Sequence, residues 1–122
     1  MNDKAISAMK RMLEDPSLLK EILRSGNEYY FKYKDHTFSI THRSNDSDWG
    51  PYSFYVYPAW KEDTSTLASL LERGFSDDYP VKAYHSANYD IIDDKEVFRK
   101  LYELCDGRYL NIDDIFDDIL RR

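Results

Sequence analysis

The hydrophobic pattern of the chain changes period several times, and each change predicts an element. From Glu28 to Arg43 polar and apolar positions alternate, with Tyr and Phe supplying most of the apolar ones. The alternation returns from Tyr52 to Trp60. Period-two alternation predicts strands with one buried face. With Asp35-His36 as a two-residue turn, the ladder pairs Tyr33 with Phe38, Phe31 with Ile40 and Tyr29 with His42, and sets Glu28 opposite Arg43. One face then carries Tyr29, Phe31, Tyr33, Phe38 and Ile40, and the other carries Tyr30, Lys32, Ser39 and Thr41. A one-residue slip would put lysines among the aromatics, so the faces are well specified. The turn is a weaker signal, because it has no Gly where positive φ is favoured. In the third strand Tyr52, Phe54, Val56 and Trp60 face one way, and Ser53, Tyr55 and Tyr57 the other.

Elsewhere the period is helical. Ala5, Ile6, Met9, Met12 and Leu13 share one face of a helix over residues 3–14. Asp15-Pro16 interrupts it. Ser17 is expected to cap a second short helix that holds Leu18, Leu19, Ile22 and Leu23 and closes at Gly26. A further helix is expected from Thr64, as its N-cap, to about Arg73, with Leu67, Leu70 and Leu71 as its stripe and Gly74 as its stop. Val81 to Tyr89 reads as a weakly patterned fourth strand. Asp93 and Glu96 then have the spacing of a capping box, Val97, Phe98, Leu101, Tyr102 and Cys105 make a stripe, and Gly107 ends the helix. The last helix, capped near Asn111, is expected to bury Ile112, Ile115, Phe116, Ile119 and Leu120. The expected fold is a single α+β domain over residues 1–122. It has an antiparallel sheet of three to four strands, a hairpin plus a third strand at its heart, covered on one face by N-terminal and C-terminal helices.

Charge narrows the function classes. The net charge is −6 at neutral pH, and it is uneven: residues 1–60 sum to zero and residues 61–122 carry all of it. General nucleic-acid binding needs a basic footprint, which this balance does not supply. The single Cys105 has no internal disulfide partner and sits on an apolar stripe, so it reads as a small core residue. A reducing, cytoplasmic setting is expected. The Met-Asn-Asp-Lys start does not read as a signal peptide, and no apolar run reaches the ~18–20 residues that span a membrane.

Candidate chemistry is sparse. His36, His42 and His85 lack the spacing of a metal-ligating motif, so no metal and no cofactor is expected. The loop Asn45 to Gly50 is faintly like a calcium loop, but Trp49 falls where an oxygen ligand is needed and the terminal Glu is missing. No Gly-x-Ser-x-Gly occurs, and the glycines at 26, 50, 74 and 107 are explained as turns or helix stops. His85 or His42 beside an Asp could form an acid–base pair, but any acidic domain offers such pairs. An enzyme is therefore not the expected class.

Two surfaces remain as candidates. The run Asp113, Asp114, Asp117, Asp118 could meet a basic partner and, with Asp77, Asp78, Asp93, Asp94 and Glu96, could occupy a nucleic-acid-binding groove of another protein. The outer sheet face would show Tyr30, Lys32, Arg43, Tyr55 and Tyr57. There tyrosines could stack a base while Lys32 and Arg43 hold phosphate, which makes a small-ligand or nucleotide site the alternative. Self-pairing of that face in a homodimer is also open. In size, charge and lack of catalytic apparatus the chain resembles small acidic inhibitors: toxin immunity proteins, antitoxins and phage anti-defence proteins. No motif carries the resemblance, so it assigns no residue a role. It implies a non-enzymatic protein that acts by occluding a partner protein.

Overall fold

The central hairpin closes through Lys34 and Asp35, which both adopt positive φ (51° and 65°). Two consecutive positive φ values mark a type I′ turn, whose twist matches that of the strands it joins. Tyr33 therefore pairs with His36, Lys32 with Thr37, Phe31 with Phe38 and Tyr29 with Ile40. This differs by two residues from the register expected with Asp35-His36 as the turn. An even shift leaves every side chain on its expected face. It does move Glu28 away from Arg43 and opposite Thr41.

The computed structural model describes residues 3–43, 50–74 and 80–121, apart from the side chains of residues 112 and 113. The elements are α1 (Lys4–Glu14), β1 (Leu19–Ser25), β2 (Glu28–Tyr33), β3 (His36–His42), β4 (Tyr52–Tyr57), α2 (Thr64–Glu72), β5 (Lys82–His85), α3 (Ile92–Leu110) and α4 (Ile112–Leu120). Short 3-10 turns lie at Pro16–Leu18 and Ser86–Asn88. The strands form one antiparallel meander in the order β1-β2-β3-β4-β5. The class is α+β as expected, with five strands instead of three or four.

The additional strand is β1, where the spacing of Leu19, Ile22 and Leu23 predicts a helix. Between Lys20 and Leu23 the ladder with β2 shifts register, and Glu21 there has φ 53°. A bulge of this kind adds a residue and resets the alternation. Leu19 and Ile22 then join the core on one face, while Leu23 joins the cluster on the other. A bulged strand thus reproduces helical spacing. Gly26-Asn27 makes the turn into β2, with Gly26 at φ 61°. The bulge also anchors α2: the backbone carbonyl of Glu21 accepts from the Thr64 hydroxyl at 2.7 Å, and its carboxylate accepts from the Thr64 N–H at 3.3 Å. Asp63, not Thr64, is the N-cap, accepting from the Thr66 N–H at 2.8 Å.

Helices cover both faces of the sheet instead of one. On the first face Ile6, Met9 and Met12 of α1 and Val97, Phe98, Leu101 and Cys105 of α3 pack on Tyr29, Phe31, Ile40 and Phe54. Phe31, Phe38 and Phe54 stack in a row, with centroids 5.6 and 5.4 Å apart. Cys105 lies fully inside, and burial pushes its thiol up to about 12. On the second face α2 brings Leu67 and Ala68 onto Tyr30, Tyr57 and Trp60. Trp60 thus packs opposite to the expected side, because β4 ends at Tyr57 and strand alternation no longer governs it.

Both ends of α3 and the end of β5 also differ from expectation. No side chain caps α3, whose N-cap is Ile91; Asp93 and Asp94 lie in its first turn, where the helix dipole favours them. α3 runs through Gly107 to Leu110 and ends at Asn111, which takes the left-handed conformation (φ 55°). The expected strand Val81 to Tyr89 ends at His85, where the 3-10 turn begins.

Phe98 is fully buried, so Phe98→Ala is expected to lower stability by about 3–5 kcal/mol in urea unfolding. Lys34 is exposed and left-handed, a conformation that Asn tolerates better. Lys34→Asn is expected to raise the unfolding free energy by roughly 0.5 kcal/mol in the same assay.

Candidate functional site

Alternation sends Tyr30, Ser39, Thr41, Ser53, Tyr55 and Tyr57 to the face opposite the core. α2 crosses the β1–β2 side of that face and buries Tyr30 and Tyr57 (each 4% exposed). Lys32 is buried as well (6% exposed), so this side of the outer face is an interior rather than an open platform. Tyr55 and Arg43 stay half-buried. Beside the C-terminal turn of α2 the face opens into a cleft of about 460 Å³, lined among others by Ser25, Glu28, Tyr55, Arg43, Leu71 and Glu72. It brings Arg43, Tyr30, Tyr55 and Tyr57 together and leaves Lys32 outside its lining.

A hydrogen-bond relay runs along the floor. The Glu28 carboxylate accepts from the Tyr30 hydroxyl at 3.1 Å and from the Ser39 hydroxyl at 2.6 Å. Ser39 and Tyr57 hydroxyls are 2.8 Å apart. Ser39 has one proton and gives it to Glu28, so Tyr57 donates to Ser39. Glu72 accepts from the Ser25 hydroxyl at 2.7 Å. Burial first, and then the nearby Glu28 charge, push the pKa of both Tyr30 and Tyr57 up, so both stay protonated donors. On the β4–β5 side Arg43 donates to the Tyr55 hydroxyl at 2.6 Å and to the Ser53 hydroxyl. The Ser53 hydroxyl lies 2.6 Å from His85 Nδ1. The Ser53 oxygen has two lone pairs, so it accepts from Arg43 and either accepts from Nδ1–H or donates to a bare Nδ1, according to the imidazole tautomer.

The histidines considered as bases sit in different surroundings. His85 has Ser53 and Arg43 beside it, and Ser53 is fully buried. Burial, and then the Arg43 charge, pull the His85 pKa below its ordinary value. His42 is exposed and stacks on Tyr52 at 4.8 Å. His36 opens β3 and His42 ends it. Among the described residues no group of three or more His, Cys, Asp or Glu side chains could hold a metal ion. Of the calcium-like loop, residues 44–49 lie outside the described residues, as do Asp77 and Asp78 of the acidic set.

The acidic run falls on α4, where Asp114, Asp117 and Asp118 are exposed; the Asp113 side chain lies outside the described residues. Asp118 meets Arg121 at 3.8 Å. Asp93, Asp94 and Glu96 are in the first turns of α3, roughly 22–27 Å along the helix from Asn111 at helical rise, so the two acidic groups belong to opposite ends of α3. The apolar side of α4 is the larger correction. Ile115, Phe116, Ile119 and Leu120 were expected in the core, yet they are 50%, 57%, 71% and 79% exposed. α3 continues past Gly107 and turns only at Asn111, and α4 then makes its main contacts with α3 rather than with the sheet. Tyr29 holds this end of α3 in place: its hydroxyl donates to Asp106, and its ring meets Tyr102 and Tyr109 at 5.2 and 5.7 Å.

Glu28 and Glu72 are the site residues that sequence reasoning passes over. Glu28 is legible only once the hairpin register is known, and Glu72 once α2 is placed. Comparison with family models, curated proteins and solved structures finds no match to the chain. Among the described residues no helix is long and apolar enough to cross a membrane.

A histidine with a lowered folded pKa adds stability that is present above its unfolded value and is lost as pH falls through it. Wild type is therefore expected to lose more stability than His85→Gln between about pH 7 and pH 5, measured by urea midpoints in matched buffers.

Proposed function

We propose that the chain is a non-enzymatic binding protein that acts by occluding a partner protein, and that α4 is its docking element. The observation that carries this reading is the unpartnered apolar face of α4, formed by Ile115, Phe116, Ile119 and Leu120. At about 100° per residue these side chains and the aspartates at 113, 114, 117 and 118 segregate onto opposite halves of the helix. A nine-residue helix with two like-charged i, i+4 pairs is marginal on its own. An apolar groove would supply the missing packing, and a basic rim would relieve the aspartate repulsion. Burying what these four side chains still expose is worth on the order of 4–8 kcal/mol gross, which offsets part of the cost of association.

The partner is therefore read as a protein with an apolar groove edged by Lys or Arg. The acidic residues 61–122 would steer its approach. A second copy of this chain fits less well, since each copy carries −6. An inhibitor of the immunity or anti-defence kind would use such a surface, and the lone thiol suits a reducing cytoplasm.

The test is capture of host proteins by the tagged chain at low and moderate salt, alongside two α4 variants. Phe116→Ser with Ile119→Ser should leave stability within about 0.5 kcal/mol, because both side chains are already exposed. Both this variant and Asp114→Lys with Asp117→Lys and Asp118→Lys should lose a stoichiometric partner that wild type retains at low salt. A partner kept by both variants would sink the reading. So would a concentration-dependent dimer by light scattering that the α4 variants abolish, since α4 would then face its own copy.

A further inference from the structure

We propose that the cleft beside α2 on the outer sheet face binds an organic cation, a protonated amine or guanidinium carried on a short apolar stem. This inference is independent of α4. Glu28 and Glu72 both line the cleft, and among the described residues neither forms an ion pair. Their partners are hydroxyls: Tyr30 and Ser39 for Glu28, and Ser25 for Glu72. An ionised carboxylate has about four acceptor directions, so each retains capacity for N–H donors. The hydroxyls hold Glu28 in place, and a ligand would spend little free energy ordering it.

The rest of the lining suits the stem of such a ligand. Leu71 and Val81 provide aliphatic wall, Tyr55 provides aromatic wall, and the volume of about 460 Å³ is that of a small-molecule site. Arg43 is the one cation among the described lining residues. Its guanidinium is directed to Tyr55 and Ser53. Two carboxylates against one guanidinium leave the lining acidic. Phosphate would meet Arg43 alone there, because Lys32 is buried and outside the lining.

The experiment is calorimetric titration of the full chain with butylammonium and butylguanidinium chloride. Tetramethylammonium serves as a cation without N–H donors, adenosine monophosphate as an anionic probe, and sodium chloride as the ionic-strength control. The expected result is saturable binding of butylammonium or butylguanidinium with a Kd of about 1 mM or tighter. Affinity should fall by about tenfold in Glu72→Gln and again in Glu28→Gln, the value for a lost charge-assisted hydrogen bond. Glu72 is exposed, so Glu72→Gln keeps the test informative should Glu28→Gln disturb the sheet. Phe116→Ser should bind the cations like wild type. The proposal is overturned by the absence of saturable heat with both N–H cations, by unchanged affinity in Glu72→Gln and Glu28→Gln, or by equal binding of tetramethylammonium. Saturable binding of adenosine monophosphate in place of the cations would overturn it too, and assign the cleft to phosphate.

Discussion

The fold depends on β2 being buried on both faces with tyrosine at half of its positions. Tyr29, Phe31 and Tyr33 enter the core beneath α1 and α3, while Tyr30 enters the cluster beneath α2. Phenylalanine at these positions would supply area alone. A buried tyrosine also requires a hydrogen-bond partner for its hydroxyl, or it costs the fold a desolvated polar group. Tyr29 finds Asp106 on α3, Tyr33 finds the Asp15 carbonyl at 3.0 Å, and Tyr30 finds Glu28. Each requirement ties a segment to the strand. Asp106 brings the late turns of α3 onto the sheet, and Asp15 fixes the exit of α1.

The bulge at Glu21 is the second constraint, and it acts through α2. It places an out-turned carbonyl and a carboxylate where Thr64 can meet them, so α2 starts over β1 and runs across β2. The far end of α2 then brings Leu71 and Glu72 beside Glu28. Without the bulge Leu23 would leave the second cluster, and the cleft would lose the helix that forms its wall.

The two candidate surfaces lie on different parts of the molecule and have different physics. The cleft is polar, preformed and held by hydroxyl–carboxylate bonds. α4 is apolar on one side, acidic on the other and joined to the rest through a single left-handed residue, Asn111. A protein can carry a small-ligand site and a docking helix together, and here no side chain serves both.

The sequence by itself determined the hairpin, the third strand, α1, α2 and the apolar stripe of α3, because period and charge decide those locally. It determined which face each hairpin residue takes, since a shift of two preserves alternation. It also showed the segregation of aspartates from apolar residues on α4. Tertiary structure alone decided three things. Leu19, Ile22 and Leu23 became a strand because β2 offered an unpaired edge, and a bulge makes that spacing fit either element. Gly107 stayed within α3 because contacts from Tyr29 to Asp106 and Tyr109 flank it, against the ~1 kcal/mol that a helical glycine costs. The apolar face of α4 stayed outside because burial requires a surface within reach, and amphipathic spacing states only that a face would gain from cover. What provides that cover depends on where the helix begins, which the packing of α3 on the sheet decides.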